Sequence, residues 1–227
     1  MAKIWYLGHS CFQFEIDGVQ VVTDPFITGN PLARHLSIED VNADIILVTH
    51  GHGDHIGDLV ELAKQTGAEV ITNYEICEWL KKQGYDKSRP MNHGGTYVCK
   101  GISFKMVNAA HSSSFPDGTY AGNPGGFVVS GETDCIYYAG DTGLTLDMQL
   151  IKDEFDLSLA VLPVGDNFTM GPRDAARAAE FCGAKRVVGM HFDTFGFIEI
   201  DHQQAKNEFE QKGVELVLPE VGQKLEL

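Results

Sequence analysis

Thr49-His50-Gly51-His52-Gly53-Asp54-His55 packs three imidazoles and a carboxylate into six consecutive positions, directly after the apolar run Ile45-Ile46-Leu47-Val48. An unbroken apolar run of this length is expected of a strand over 44–49 that is buried on both faces. Two histidines separated by one glycine cannot share a helix face. On a tight loop, however, both rings can converge on one ion while Asp54 and His55 turn toward a second. Imidazole and carboxylate donors suit zinc, manganese or iron, and zinc is the default for nitrogen-rich tetrahedral sites.

Outward from that loop, four other apolar runs deliver a metal-competent side chain at their carboxyl ends. Residues 19–23 lead to Asp24, 104–110 to His111, 136–140 to Asp141 and 187–190 to His191. Sites in α/β proteins gather at the carboxyl ends of strands, so five such endings describe one edge of a cleft. Singly, an aspartate or histidine after a strand is an ordinary turn residue. Together, beside the histidine loop, they read as ligands.

The remaining pattern predicts strands over 3–7 and 11–16, the latter joined to 19–23 through the hairpin signal Asp17-Gly18. Further strands are expected over 69–72, 96–100, 102–110, 127–130, 134–139, 157–164, 187–190 and 214–218. Helices are expected over 58–65, 74–83 and 146–154, from Pro172 to Gly183, and from Asp201 to Lys212. Residues 111–126 form a Ser/Gly/Pro-rich stretch, read as a functional loop. Strand pairs early and β–α alternation later, with no repeat or composition break, predict one mixed α/β domain over 1–227 with helices outside the sheets.

Composition narrows the partners. Lys and Arg total 17 against 32 Asp and Glu, a net charge of −15. That balance disfavours a grip on nucleic acid or an anionic membrane. The five cysteines, an odd number without a C-x-x-C pair, read as reduced thiols of a cytoplasmic protein. No signal-peptide core is expected at the amino terminus, and no stretch approaches a membrane span.

His50-x-His52-x-Asp54-His55, then His111, Asp141 within Ala139-Gly140-Asp141-Thr142, and His191 together resemble the metallo-β-lactamase superfamily, in order and along the whole chain. The resemblance implies a four-layer αββα sandwich of two mixed β-sheets with a two-metal site at one edge. It implies that His50, His52 and His111 hold one metal and that Asp54, His55 and His191 hold the other. Asp141 and a hydroxide would bridge the two, with Asp54 acting in catalysis as well. Leu7-Gly8-His9-Ser10-Cys11-Phe12, Thr23-Asp24-Pro25-Phe26 and the stretch from Val164 to Pro172 are similar to the ascorbate-6-phosphate lactonase-like branch. Within it, the chain looks most like an uncharacterised metal-dependent hydrolase family.

The resemblance implies metal-dependent hydrolysis of an ester, lactone or phosphodiester bond in a small metabolite, anionic ones included. Two divalent ions, zinc first and manganese, iron or nickel as alternatives, would make the cleft locally positive within an acidic protein. His9 is expected to support the ligands or touch substrate, and Asp24 to orient the histidine loop. Phe168, Thr169 and Met170 are candidates for the substrate mouth, with a place in the core as the alternative. Ser112, Ser113 and Ser114 are either phosphate contacts or turn residues. His35 and His93 are expected at the surface, and His202 packed on a helix face. The branch also suggests a homo-oligomer. Competing readings are a phosphodiesterase or nuclease acting on nucleic acid and a non-catalytic metal-binding sensor.

Overall fold

The computed structural model describes residues 3–226. Two seven-stranded mixed sheets face each other. The first is built from β1 (Lys3–Gly8), β2 (Cys11–Ile16), β3 (Val19–Thr23), β4 (Ile45–Leu47), β5 (Glu69–Asn73) and β6 (Ser88–Met91). The second contains β7 (Thr96–Cys99), β8 (Ile102–Asn108), β9 (Gly125–Ser130), β10 (Cys135–Tyr138), β11 (Leu159–Pro163), β12 (Arg186–Met190) and β13 (Glu215–Val217). The seventh strand of the first sheet, β14 (Lys224–Glu226), pairs antiparallel with β1. The helices are α1 (Gly53–Ile56), α2 (Leu59–Thr66), α3 (Tyr74–Lys82), α4 (Met148–Glu154), α5 (Pro172–Cys182) and α6 (His202–Glu210).

Strand burial explains the layering. In β4 the side chains of Ile45 and Leu47 enter the core between the sheets, while Ile46 joins Leu59, Leu62 and Ala63 of α2 on the other face. The pleat sends successive residues to opposite faces, so a strand covered on both sides must be apolar throughout. Fully burying each such isoleucine or leucine contributes roughly 1.5–3 kcal/mol. On the second sheet, Ala175, Ala176, Ala178, Ala179 and Cys182 form the buried side of α5. Their small side chains let this helix lie close to the strands and to α4 and α6. No helix among the described residues is long and apolar enough to cross a membrane.

Each sheet changes from antiparallel to parallel pairing at one strand. That strand is β3 in the first sheet and β10 in the second. Both lead to an aspartate, Asp24 and Asp141 respectively, at the same edge of the sandwich. Asp24 and His191 follow their strands immediately. His50, His111 and Asp141 come three positions beyond the ends of β4, β8 and β10, so these strands stop short of the expected boundaries.

Two strands depart from the sequence expectation. Ser88-Arg89-Pro90-Met91, expected as loop, pairs parallel with β5 at the edge of the first sheet. There the missing Pro90 N–H costs no ladder bond on the outer side. The chain does not close at the strand after α6, because β14 follows it and covers β1.

Candidate metal centre

The histidine loop is held by its glycines and by one buried aspartate. A Cβ at Gly51 would overlap the Cβ of Ala121, so only glycine lets the loop after β8 lie against the histidines. Ser113 reinforces this contact, its hydroxyl accepting the Gly51 N–H at 3.2 Å and donating to the Ala121 carbonyl at 3.3 Å. Ser113 is thus a tie between loops, whereas the Ser112 hydroxyl lies 3.5 Å from His52 Nε2. Gly140 takes a left-handed φ of 61°, and a Cβ there would meet Thr49 Cγ2 at 2.7 Å. His52 caps the single turn of α1, which carries Asp54 and His55 inward.

Asp24 has zero exposure and accepts from three neighbours of the site. Its Oδ1 takes the Thr49 N–H at 2.8 Å, and its Oδ2 takes the Thr49 hydroxyl at 2.7 Å and His55 Nδ1–H at 2.9 Å. The Tyr138 hydroxyl, on the second sheet, shares its proton between Asp24 Oδ2 at 2.9 Å and the Ser10 carbonyl at 2.6 Å. Because the Thr49 proton goes to Asp24, Thr49 Oγ1 accepts from His50 Nδ1–H at 3.0 Å. This network places a hydrogen on Nδ1 of both His50 and His55 and turns each Nε2 toward the cluster, as a lone pair on His50 and, in the metal-free protein, as the site of the second proton of His55.

Those ring nitrogens converge. Donor atoms of His50, His52 and His111 lie within 4.8 Å of one another, and so do donor atoms of His9, Asp54, His55 and His191. Asp141 joins His50 and His55 in a third such group, between the other two. Its Oδ2 is 3.0 Å from His191 Nε2, 3.4 Å from His55 Nε2 and 3.5 Å from His111 Nε2. Among the described residues, His55 Nε2 and Asp141 Oδ1 are buried without a hydrogen-bond partner. Native interiors rarely leave such atoms unsatisfied. Orphaned nitrogen and oxygen donors facing one another are the donor set that divalent ions require, so these residues fit a metal centre.

The charge states follow from burial and neighbours. Burial, reinforced by His55, holds His50 well below the usual histidine range, and burial also lowers His52 and His111. Burial would likewise lower His55, but Asp141 and Asp24 outweigh it and push His55 well above its ordinary value. For Asp141, burial would favour the acid, yet His191 and His55 hold its carboxyl well below the carboxylate range. Asp54 follows the same pattern, with burial overcome first by His9 and then by His55. His9, pushed down to about 4 chiefly by burial against the pull of Asp54, has no exposed surface.

A family model described as the beta-lactamase superfamily domain matches residues 3–191, which include every one of these donors. The chain belongs to that superfamily. Its full-length relatives within the superfamily are called UPF0173 metal-dependent hydrolases, and it belongs with them. The Flavobacterium johnsoniae protein is 49% identical over 225 residues, spanning 99% of this chain and 100% of the relative. A Thermus thermophilus protein is 50% identical over 215 residues, spanning 95% and 94%. Among solved structures, Igni18, a metallo hydrolase from the hyperthermophilic archaeon Ignicoccus hospitalis, superposes with a TM-score of 0.89. It is 33% identical and covers 99% of this chain and 97% of that one.

Beside this superfamily core, the other expected residues separate. Phe168 is exposed and Thr169 half-buried, but Met170 is 2% exposed and belongs to the larger hydrophobic core, the alternative the sequence left open for it. Its N–H donates to the Thr142 carbonyl at 3.1 Å, tying the loop to the turn that carries Asp141. His35 and His93 bind the carbonyls of Val221 and Pro124, away from the donor clusters. His202 packs edge to face on Phe192 at 5.7 Å, not buried on the helix face with Ala205 and Phe209. It is exposed, and its Nε2 lies 2.6 Å from Asp193 Oδ2, fastening the loop after β12. That loop carries Thr194 and Phe195, which sequence reasoning missed. Thr194 Oγ1 is 2.9 Å from His9 Nδ1, and the Phe195 ring is 5.5 Å from the His9 ring. Their one signal is position, three and four residues after His191.

Proposed function

We propose that the cleft holds two divalent ions, zinc first among them, and hydrolyses an ester, lactone or phosphodiester bond of a small molecule. The observation that carries this reading is the division of the donors into two groups with Asp141 between them. In this assignment His50, His52 and His111 hold one ion, Asp54, His55 and His191 the other, and Asp141 touches both. Divalent metal there would lower the pKa of a water from 15.7 to about 7 and polarise the scissile group.

The protein's own residues supply the rest. Asp24 fixes the two imidazole tautomers. His9 donates Nε2–H to Asp54 Oδ2, which leaves Asp54 Oδ1 to accept a hydrogen bond from the attacking water and orient it. Asp54 suits that role because it is the most accessible carboxylate of the cluster, at 29% exposure against 2% for Asp141. The net charge of −15 sets long polyanions against the surface, so the reading is of a small-molecule substrate.

The test is elemental analysis of the purified protein, followed by turnover of p-nitrophenyl acetate, a simple lactone and bis-p-nitrophenyl phosphate with and without chelator. Near two equivalents of metal and chelator-sensitive turnover are expected. Metal-loaded protein that turns over none of the three sinks the hydrolytic reading, and saturation at one equivalent sinks the dinuclear one.

A further inference from the structure

Three exposed phenylalanines stand on the loops after β11 and β12, beside the donor clusters. Phe195, 38% exposed, meets the His9 ring at 5.5 Å and the Phe26 ring at 6.5 Å. Two positions on, Phe197 is 77% exposed, and it meets Phe168, 55% exposed, edge to face at 6.3 Å. Scattered exposed apolar residues need no explanation, but three exposed phenylalanines on two loops, one of them in ring contact with a cluster histidine, do.

Both supporting loops are built. The loop after β12 is closed by Asp193 N–H to the Ile198 carbonyl at 2.8 Å, by Ile200 N–H to Asp193 Oδ1 at 3.0 Å, and by the Asp193–His202 pair. In the loop after β11, Asp166 and Asn167 take left-handed φ values of 61° and 52°. Buried Met170 anchors that loop, while Phe168 stands out from it. The exposure of these rings is therefore held in place by the backbone on either side.

We propose that Phe195, Phe197 and Phe168 form a wall that takes the apolar arm, acyl or aryl, of a neutral ester or lactone whose carbonyl lies at the Asp54 end. The commitment to a substrate arm rests on Phe195, which is in ring contact with His9, the partner of Asp54, and which shares its loop with Phe197. It rests on the hydrolytic reading above. Hydrolysis adds water across the acyl C–O bond: a C–OH bond forms at the acyl carbon, the bond to the alcohol oxygen breaks, and the water's proton leaves on that oxygen.

The experiment compares p-nitrophenyl acetate, butyrate and octanoate on metal-loaded wild type, Phe195→Ala and the double variant Phe168→Ala/Phe197→Ala. For wild type, kcat/KM is expected to rise ~2–4-fold per methylene, expressed mainly in KM, because a buried CH2 contributes about 0.8 kcal/mol. The octanoate-to-acetate ratio is expected to collapse in both variants. Saturation-transfer NMR of sodium octanoate with metal-free protein gives a readout without turnover: contact along the alkyl chain in wild type, lost in the double variant. A flat chain-length series with chelator-sensitive turnover of acetate overturns the wall and spares the hydrolase. Absent turnover of every substrate sinks the hydrolase, and the octanoate NMR then still decides the wall. If the double variant changes the sedimenting mass while the ratio stands, the rings belong to an interface between copies and the proposal fails.

Discussion

His9 Nε2 lies 3.1 Å from Asp54 Oδ2, and the opposite nitrogen of the same ring lies 2.9 Å from Thr194 Oγ1. An ionised Asp54 can only accept, so Nε2 carries the hydrogen and Nδ1 accepts from the threonine hydroxyl, whose proton is shared with the Phe192 carbonyl at 3.3 Å. His9 adopts a left-handed φ of 57° to reach this position, a strain that local hydrogen bonds to its carbonyl help to hold.

Replacing Thr194 by valine keeps the shape and removes the donor. We expect Thr194→Val to weaken metal binding ~10-fold or more and to lower kcat more than it raises KM, with Thr194→Ser restoring both. Competition titration against a calibrated chelator measures the first effect. Equal affinity in all three proteins would mean that the His9 ring needs no outer partner.

Asp24→Asn tests the buried carboxylate. The amide nitrogen would face donors where the carboxylate accepts four hydrogen bonds, so the network breaks instead of merely losing charge. We expect a loss of about 2–5 kcal/mol of stability and reduced metal content at both positions. Thermal melts and elemental analysis read the two effects separately, and loss of only one equivalent of metal would contradict the shared anchor.

Gly51→Ala should cost roughly 1–3 kcal/mol by driving its Cβ into that of Ala121. The compensating double variant Gly51→Ala/Ala121→Gly should recover most of that loss. A double-mutant cycle in denaturant gives the coupling, and near-zero coupling would place the conflict elsewhere.

Metal removal should lower Tm and change the proton count. At pH 7 the metal-free His55 carries a proton, because Asp141 and Asp24 raise its pKa despite burial. Coordination through Nε2 displaces that proton. His50, His52 and His111 are held low by burial and are already neutral. Calorimetric metal titration in buffers of different ionisation heat should therefore show net proton release at pH 7. Zero release counts against His55 as a ligand. A hundredfold excess of metal over Kd would raise stability by about 2.7 kcal/mol.

Much of this architecture was legible from apolar runs ending in polar donors, because strands covered on both faces cannot hide their composition. Ile45-Ile46-Leu47-Val48 before the histidine loop is the clearest case. Ser88–Met91 was not legible: it lacks alternation, contains a proline, and becomes a strand only by pairing with β5. Lys224–Glu226 pairs with the opposite end of the chain, a contact that no local pattern encodes. For Met170 the sequence left mouth and core equally open, because residue type alone does not separate them, and the side chain is buried. Thr194 and Phe195 matter through the fold of a single loop, and neither residue type announces it.

The donors come from both sheets. His50, His52, Asp54 and His55 follow β4 of the first, whereas His111, Asp141 and His191 follow strands of the second. Each proposed ion would thus be clamped across a seam, as a rivet through two plates. Donor spacing then becomes a gauge of how far apart the plates sit. A volume change deep in the layer between them, at Phe104 or Ile45 for instance, would shift ionic-radius preference without touching any donor. Laboratory evolution toward a different metal could therefore proceed through the core.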